Sequence, residues 1–350
     1  MKDYQNLTRK GRLQRLHKLA DAALSAFGVE DAAIKFVRDA GNTTYRVHAK
    51  SLSNPGKWMD DDRYSMNQYV LRMHEPGYQS DAAILSELEW LEALGRDTDL
   101  AVPCPMHAPD GRLLVEVSIP DVPKPRRVSL LHWVKGSLLK KGIRPAHFKS
   151  AGRLMAGLHT HSAQWTPPPG FTRPRYDWNG LYGDNDFINV PATDVRAQIP
   201  DEFKRPFEQV TSRVREVMDS FGQGTDAFGL IHADISLGAN ILFEGGQARV
   251  IDFDDCAFGY WMFDVGVSLC EVRKEATFED CRDALREGYE EVRALPSAQW
   301  EHVDLFITAW HAFEMFWAAS GIVKFGDPRG SLRDWVVRAA RDILFIFENR

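Results

Sequence analysis

The stretch that decides the fold of this chain is residues 230–255, LIHADISLGANILFEGGQARVIDFDD. Short apolar runs in and beside it, two of them separated by a Gly-Gly turn, predict three strands, over residues 228–234, 240–244 and 248–254. Asp234 ends the first strand, Asn240 opens the second and Asp252 lies near the end of the third. We therefore expect these three side chains at adjacent loop ends along one edge of a small sheet.

Two acids and an amide at one sheet edge indicate a specific chemistry. Carboxylate and amide oxygens are the ligands that Mg²⁺ prefers, so the set suits a hard divalent cation. A carboxylate that stays free of metal can orient a hydroxyl nucleophile and take its proton. The pattern therefore predicts an enzyme site in which Asp234, Asn240 and Asp252 act together.

The sequence outside this stretch changes its periodicity near residue 134. Before that point, alternating apolar residues predict strands, with helices only near residues 9–27 and 80–94. After residue 146 the apolar residues recur at helical spacing, and everything after residue 260 is predicted as helix. Runs of strands followed by runs of helices predict an α+β fold rather than a βαβ alternation.

Length and composition bound the function. A chain of 350 residues fits two domains, predicted over 1–133 and 134–350. The net charge of -6 argues against a nucleic-acid partner. No run of eighteen apolar residues and no apolar N-terminal segment are present, so we expect no membrane span and no secretory signal. Four scattered cysteines predict reduced thiols in a cytoplasmic protein. The oligomeric state stays open.

The motif residues resemble those of a known superfamily. His232-Ala233-Asp234, then Asn240, then Ile251-Asp252-Phe253-Asp254 follow the pattern His-Gly-Asp, Asn, Ile-Asp-Phe/Trp-x-Asp. This pattern is similar to that of the aminoglycoside phosphotransferase, choline kinase and homoserine kinase superfamily. One departure is the loop length, because residues 235–239 number five where the superfamily usually has four. We expect a bulge at Gly238-Ala239 to absorb the additional residue.

The resemblance implies a two-lobed protein-kinase-like fold and a role for each matching residue. Asp234 would be the catalytic aspartate, and Asn240 and Asp252 would hold Mg²⁺. Asp264, in the following Phe-Asp-Val-Gly, would support the catalytic loop. His232 would brace the same loop. Asp254 would contact metal or substrate.

The N-terminal half offers further matches to a kinase. Three residues of a turn between two strands, Gly41, Asn42 and Thr43, resemble the turn that covers the phosphates of the nucleotide. Arg72 on the third strand is the cation expected at the phosphates. Glu87 lies beside the buried face of its helix, where an unpaired charge is costly, so Arg72 is its expected partner. The apolar segment 128–134, with Trp133, resembles the hinge at which adenine binds.

The main hypothesis is an ATP-dependent kinase that moves the γ-phosphate to a hydroxyl of a small molecule, with ATP and Mg²⁺ between the lobes. An aminoglycoside, an amino alcohol and homoserine are candidate acceptors. A protein Ser/Thr kinase, a pseudokinase that senses nucleotide, and a metal hydrolase stay open as alternatives. Residues 230–294 hold fourteen acidic and six basic residues, a local excess that favours a neutral or cationic acceptor. Trp310, Phe313 and Trp317 are expected in the core. Glu314 could face a substrate cleft, but a position in solvent is the expectation.

Overall fold

A computed structural model describes residues 4, 7–52, 61–185 and 188–348 of the chain. No helix within these ranges combines the length and the apolar character that crossing a membrane requires. The chain folds as two compact units. Unit 1 comprises Met1–Ser137, Pro167–Thr172 and Arg249–Asp254, and unit 2 comprises Leu138–Thr166, Arg173–Ala248 and Asp255–Arg350.

Unit 1 is built on a five-stranded antiparallel sheet. Its elements are α1 (Arg9–Ala26), β1 (Val29–Ala40), β2 (Asn42–Leu52), β3 (Tyr64–Met73), α2 (Asp81–Asp97), β4 (Val115–Val117) and β5 (Arg126–Val134). The strand order is β1-β2-β3-β5-β4, with every neighbouring pair antiparallel. The strands predicted before residue 134 are therefore present.

The two faces of this sheet differ because side chains alternate along each strand. Tyr45, Val47 and Leu71 point into a core that they share with Leu19 and Leu24 of α1. The opposite face carries Arg72, which stands between Thr44 on β2 and Ser129 on β5 in the strand register. The polar face is therefore the one available for a site.

Helix α2 brings an acidic residue into this unit. The Ser80 hydroxyl accepts a hydrogen bond from the Ala83 amide and so begins the helix. Ile84, Leu88 and Leu91 are buried along one side. Glu87, on the same helix, is also fully buried, so the helix delivers a carboxylate to the interior of unit 1.

Unit 2 contains most of the helices. The remaining elements of the chain are β6 (Ser137–Leu138), α3 (Pro145–Gln164), β7 (Arg175–Tyr176), α4 (Trp178–Tyr182), α5 (Ala192–Ala197), α6 (Asp201–Phe221), β8 (Phe228–Ile231), β9 (Ile241–Glu244), β10 (Gln247–Val250), β11 (Ala257–Tyr260), α7 (Trp261–Cys270), α8 (Phe278–Glu290), α9 (Ser297–Trp300), α10 (Val303–Phe325) and α11 (Ser331–Glu348). A short 3-10 helix covers Phe253–Asp255. Strands are concentrated before residue 134 and helices after it, as an α+β fold requires.

The prediction that the three motif strands share one small sheet is wrong. Strand β8 pairs with β11, which in turn pairs with β7, whereas β9 and β10 form a separate sheet with β6. β6 and β7 are two residues long and β11 is four, too short to show an alternating pattern. Their pairing is set by tertiary packing, which periodicity does not reveal.

Candidate active site

The loop after β8 is held in place by one buried carboxylate. Asp264, in the first turn of α7, is fully buried, and its Oδ2 accepts from the His232 amide at 3.0 Å. Its Oδ1 accepts from the Ala233 amide at 2.7 Å. Ala233 adopts a φ of +69°, a left-handed conformation that non-glycine residues rarely take. Asp264 therefore stabilises a strained backbone immediately before Asp234.

Two histidines complete this support. The neutral ring of His159 donates from Nε2 to Asp264 Oδ2 at 3.1 Å and accepts at Nδ1 from the Tyr289 hydroxyl at 2.8 Å. Burial lowers the pKa of His159 and outweighs the opposing charge of Asp264. His232 is fully buried, and its Nδ1 accepts from the Asp234 amide at 3.3 Å. Both histidines thus brace the loop.

Asp234 and Asn240 are joined directly within unit 2. The Asn240 side-chain Nδ2 donates to the Asp234 backbone oxygen and to its Oδ2, both at 2.8 Å. The intervening five residues fit because Asn240 closes a turn by donating its amide to the Ser236 oxygen at 2.9 Å. Neither side-chain bond uses the amide oxygen of Asn240, which is the atom suited to a hard cation.

Glu271, at the end of α7, fixes the middle of the same loop. It accepts from the Ser236 hydroxyl at 2.6 Å and from the Gly238 amide at 3.1 Å. A Cβ on Gly238 would lie 3.0 Å from the Glu271 carboxylate, so a larger residue would require that carboxylate to shift by a few tenths of an ångström. The sequence motif did not identify Glu271, because its contacts with the loop arise only after α7 packs beside it.

Asp234 lines a cavity of about 530 Å³ in unit 2. Five carboxylates line it, namely Asp234, Glu271, Glu275, Glu314 and Asp342. The lining also includes three cations, namely Arg338 and the pair Arg273 and Lys274, which form ion pairs with Asp304 and Asp342. Burial, followed by four of these carboxylates, raises the pKa of the Cys270 thiol well above its usual range. The cavity therefore has an acidic character.

The α10 residues behave differently from the sequence expectation. Glu314, expected in solvent, lines the cavity with its side chain 20% exposed and accepts from His311 Nδ1 at 3.0 Å and Trp335 Nε1 at 3.3 Å. Phe313 is buried as expected, but Trp310 lines the cavity and Trp317 is 38% exposed against Trp335. The i,i+4 spacing of Trp310 and Glu314 was a signal of a shared face, but α11, which supplies Trp335, carried no motif.

In unit 1, Arg72 and Glu87 form a buried ion pair. Arg72 Nη1 lies 2.6 Å from Glu87 Oε1, and the side chains are 7% and 0% exposed. Burial alone would lower the pKa of Arg72, but Glu87, Asp254 and Asp252 outweigh it and raise that pKa. The other two carboxylates lie 3.8 Å (Asp254) and 3.9 Å (Asp252) from the guanidinium. Arg72 is thus surrounded by three carboxylates.

Residues of the β1–β2 hairpin contact the same acidic segment. Asn42 Nδ2 donates to both carboxylate oxygens of Asp254 at 3.1 Å. Thr43 Oγ1 donates to Asp39 Oδ1 at 3.0 Å, and Gly41 makes the turn with a φ of +69°. The Asn42 side chain therefore fixes the hairpin to Asp254, and the Thr43 side chain joins its two strands. Because both side chains are engaged, the backbone amides of the turn are the groups that can contact a phosphate.

Trp133 lies on the sheet face that carries Arg72. It follows Ser129, the residue opposite Arg72, by four positions along β5, so alternation puts both on one face. Its ring lies 4.3 Å from the guanidinium carbon of Arg46. The structure thus brings Arg72, Glu87, Asp252 and Asp254 together and sets Trp133 further along the same face.

The carboxylate and amide oxygens of these residues are of the kind that Mg²⁺ prefers. Among the described residues, no group of three or more His, Cys, Asp or Glu side chains is arranged to hold a metal ion. Mg²⁺ is commonly held by one or two carboxylates together with substrate phosphates and water. Asp252 adopts a left-handed conformation with a φ of +68°, and its side chain, which Arg38 and Arg72 contact, is 35% exposed.

Comparison with known proteins addresses the fold and the family. A solved structure of a microcompartment-associated aminopropanol kinase is similar over 95% of this chain and 97% of that one, with 28% identity and a TM-score of 0.75. The structure of amicoumacin kinase hAmiN in complex with AMP-PNP, Ca²⁺ and Ami is similar over 96% of this chain and 96% of that one, with 17% identity and a TM-score of 0.73. The predicted α+β, protein-kinase-like fold class is confirmed.

Sequence relatives agree. An uncharacterized protein of Synechocystis is 24% identical over 65% of this chain, and the match spans 61% of that protein. Amicoumacin kinase of Bacillus subtilis is 22% identical over 73% of this chain and 67% of its own length. The model of the family described as "Phosphotransferase enzyme family" matches residues 34–306. This range includes both the Arg72–Glu87 pair and the Asp234 loop. The predicted enzyme class, a kinase, is confirmed. The chain therefore belongs to the phosphotransferase enzyme family.

Proposed function

We propose that this protein is an ATP-dependent kinase that phosphorylates a hydroxyl group of a small, amine-bearing molecule. The observation that carries the proposal is the position of Asp234. Its carboxylate is oriented by Asn240 and lines an acidic cavity large enough for a small molecule. A hydroxyl bound there can meet a carboxylate held ready to receive its proton.

The donor side of the reaction belongs to unit 1. Arg72, held by Glu87, binds the α- and β-phosphates of ATP, and the backbone of the Gly41 turn covers them. Asp252 and Asn240 would hold Mg²⁺, which when bound neutralises charge on the phosphates. Asp254, which Asn42 and Gln79 hold by hydrogen bonds, fixes the segment that carries Asp252.

The chemical step needs only positioning and one proton acceptor. Asp234 orients the acceptor hydroxyl for in-line attack on the γ-phosphorus. As the new O–P bond forms, the bond from the γ-phosphorus to the bridging oxygen breaks, and ADP leaves with that electron pair. The hydroxyl proton passes to Asp234 late in the step. His159, His232 and Asp264 act only by holding the loop.

The acceptor carries an amine because the cavity has more carboxylates than cations. Glu271, Glu275 and Glu314 line it without an ion pair to lysine or arginine in the described part of the chain. An ammonium group would relieve their mutual repulsion. The names of the two kinases with similar structures, aminopropanol kinase and amicoumacin kinase, support small-molecule acceptors.

A screen for ATP consumption tests this function. Amino alcohols, aminoglycosides and homoserine are added singly to the protein with ATP and Mg²⁺, and neutral diols of matched length serve as controls. We expect ADP release to increase with an amino alcohol or aminoglycoside and much less with the diol. Phosphorylation of protein substrates alone, or ATP binding without turnover on any acceptor, would contradict the proposal.

Glu314 offers a sharper test of the amine. Glu314→Gln keeps the hydrogen-bonding shape but removes the charge, so we expect about a tenfold increase in KM for the best cationic acceptor. The KM of the matched neutral diol should stay within about twofold. Glu216→Gln, on the exposed part of α6, is the control. Equal changes for the cationic and neutral acceptors would show that Glu314 does not contact the amine.

A further inference from the structure

Arg38 is a cation that the motifs did not predict. It lies in β1, just before the Gly41 turn, and its Nη1 is 3.2 Å from Asp252 Oδ2. The side chain is 61% exposed, and that of Asp252 is 35% exposed. An ion pair this open to water is weak and easily exchanged. Its structural value to the fold is therefore small.

The strand register puts Arg38 beside Arg72. Arg38 is opposite Thr44 on β2, and Thr44 is opposite Arg72 on β3, so the two arginines flank one residue in a single row across the sheet. Neighbouring strands lie about 4.8 Å apart, which sets the two backbones roughly 10 Å apart. Both guanidinium groups reach the Asp252 carboxylate, Arg38 at Oδ2 and Arg72 at Oδ1.

A β-bulge produces this arrangement. Phe36 pairs with Tyr45 and Arg38 with Thr44, so β1 contains one additional residue, Val37, relative to β2. Such a bulge re-aims the side chains that follow it and is frequent beside active sites. Without it, the residue opposite Thr44 would be Val37, and no cation would stand in the row with Arg72.

We propose that Arg38 is a second phosphate-binding arginine, which leaves Asp252 and binds the β- and γ-phosphates when the nucleotide enters. The inference rests on the proposed kinase function. A metal cation bound at Asp252 would repel the guanidinium of Arg38, whereas the phosphates of the nucleotide would attract that guanidinium. A guanidinium can also bind two phosphate oxygens at once. In the absence of nucleotide, Asp252 keeps Arg38 on the correct face.

Nucleotide binding measured by calorimetry tests this role without relying on activity. The variants are Arg38→Ala and Arg38→Lys, with Lys35→Ala, an exposed cation on the same strand, as the matched control. The ligands are ATP with Mg²⁺ and adenosine. We expect Arg38→Ala to raise the Kd of ATP about tenfold and to leave that of adenosine unchanged, with Arg38→Lys in between. Lys35→Ala should match the wild type.

The outcomes separate this inference from the function on which it rests. If Arg38→Ala and Lys35→Ala bind ATP equally well, or if Arg38→Ala weakens adenosine as much as ATP, the role of Arg38 is refuted and the kinase proposal stands. If the wild-type protein binds no ATP at all, the proposed function fails and this inference with it. A thermal unfolding curve of each variant checks that the fold is retained.

Discussion

Asp264 supports two backbone amides at once, and this can be tested by a change of a single atom. In Asp264→Asn, one of the two acceptor oxygens becomes an amide nitrogen that cannot accept from the His232 or Ala233 N–H. Leaving a buried donor unsatisfied costs about 1–3 kcal/mol. We expect the free energy of unfolding to fall by that amount, measured by urea denaturation. Asp219→Asn, an exposed residue of α6, should change it by less than about 0.5 kcal/mol.

Ala233 is a second position where one residue carries strain. A φ of +69° costs an L-residue about 1–2 kcal/mol of conformational free energy, and glycine avoids this cost. Glycine instead lowers the stability of the folded state by about 0.5–1 kcal/mol, because its unfolded chain has more conformational entropy. Ala233→Gly should therefore be neutral or slightly stabilising, in contrast to most glycine substitutions. A loss of more than 1 kcal/mol in the same denaturation experiment would mean that the loop is not strained as described.

His132 predicts how stability depends on pH. It is buried in β5 against the rings of Tyr64 and Tyr69, and burial lowers its pKa to about 4, against a smaller opposing effect of Asp61. The unfolded chain binds a proton near pH 6.5. The folded state therefore loses stability as the pH falls from about 6.5 towards 4, by up to about 3 kcal/mol.

The measurement is the free energy of unfolding at intervals between pH 4 and pH 7. His132→Leu removes the titrating group, so its stability should vary less over this window than that of the wild type, whatever its absolute value. If the free energies of unfolding of the two proteins change with pH in parallel, His132 is not the source of the pH dependence.

At the scale of elements, α3 and α8 pack backbone against backbone. A Cβ on Gly288 would lie 1.9 Å from the Lys149 oxygen, and one on Gly152 would lie 2.2 Å from the Leu285 oxygen. Gly288→Ala must push the helices apart, so we expect a loss of about 3 kcal/mol or more. Gly11→Ala in α1 meets only ordinary contacts at 3.5 Å and should stabilise by about 0.5–1 kcal/mol. The two Gly-to-Ala changes thus have opposite predicted signs.

The elements also show what could be predicted from sequence. The strands before residue 134 and the helices α1 and α2 follow clear apolar periods, so their presence could be predicted from the sequence. β6, β7 and β11 were missed because two to four residues carry no period. Pairing was missed for the same reason, since the choice of β11 as the partner of β8 depends on contacts distant in sequence.

The same distinction holds for the site. Asp234, Asn240 and Asp252 lie in a compact motif and could be proposed from spacing. The contact of Arg38 with Asp252 arises only through the fold of unit 1, and Glu271 and Asp342 reach the cavity beside Asp234 only through the fold of unit 2. For Glu314 the position in solvent was preferred to the cleft, because a glutamate is rarely buried without a partner. In the structure, Trp335 of α11 and His311 donate to it. Motifs therefore supplied the groups that we propose to react, and the fold was needed to find the neighbours that we propose to select and position.

For the whole molecule, the central claim is that Asp234 receives the proton of an acceptor hydroxyl while other residues bind ATP. The most direct test compares wild-type protein with Asp234→Asn in two assays, ATP affinity by calorimetry and phosphate transfer to the best amine-bearing acceptor. We predict an unchanged Kd for ATP and a kcat that falls by roughly 10²- to 10⁴-fold. An Asp234→Asn variant that transfers phosphate at the wild-type rate would contradict the account.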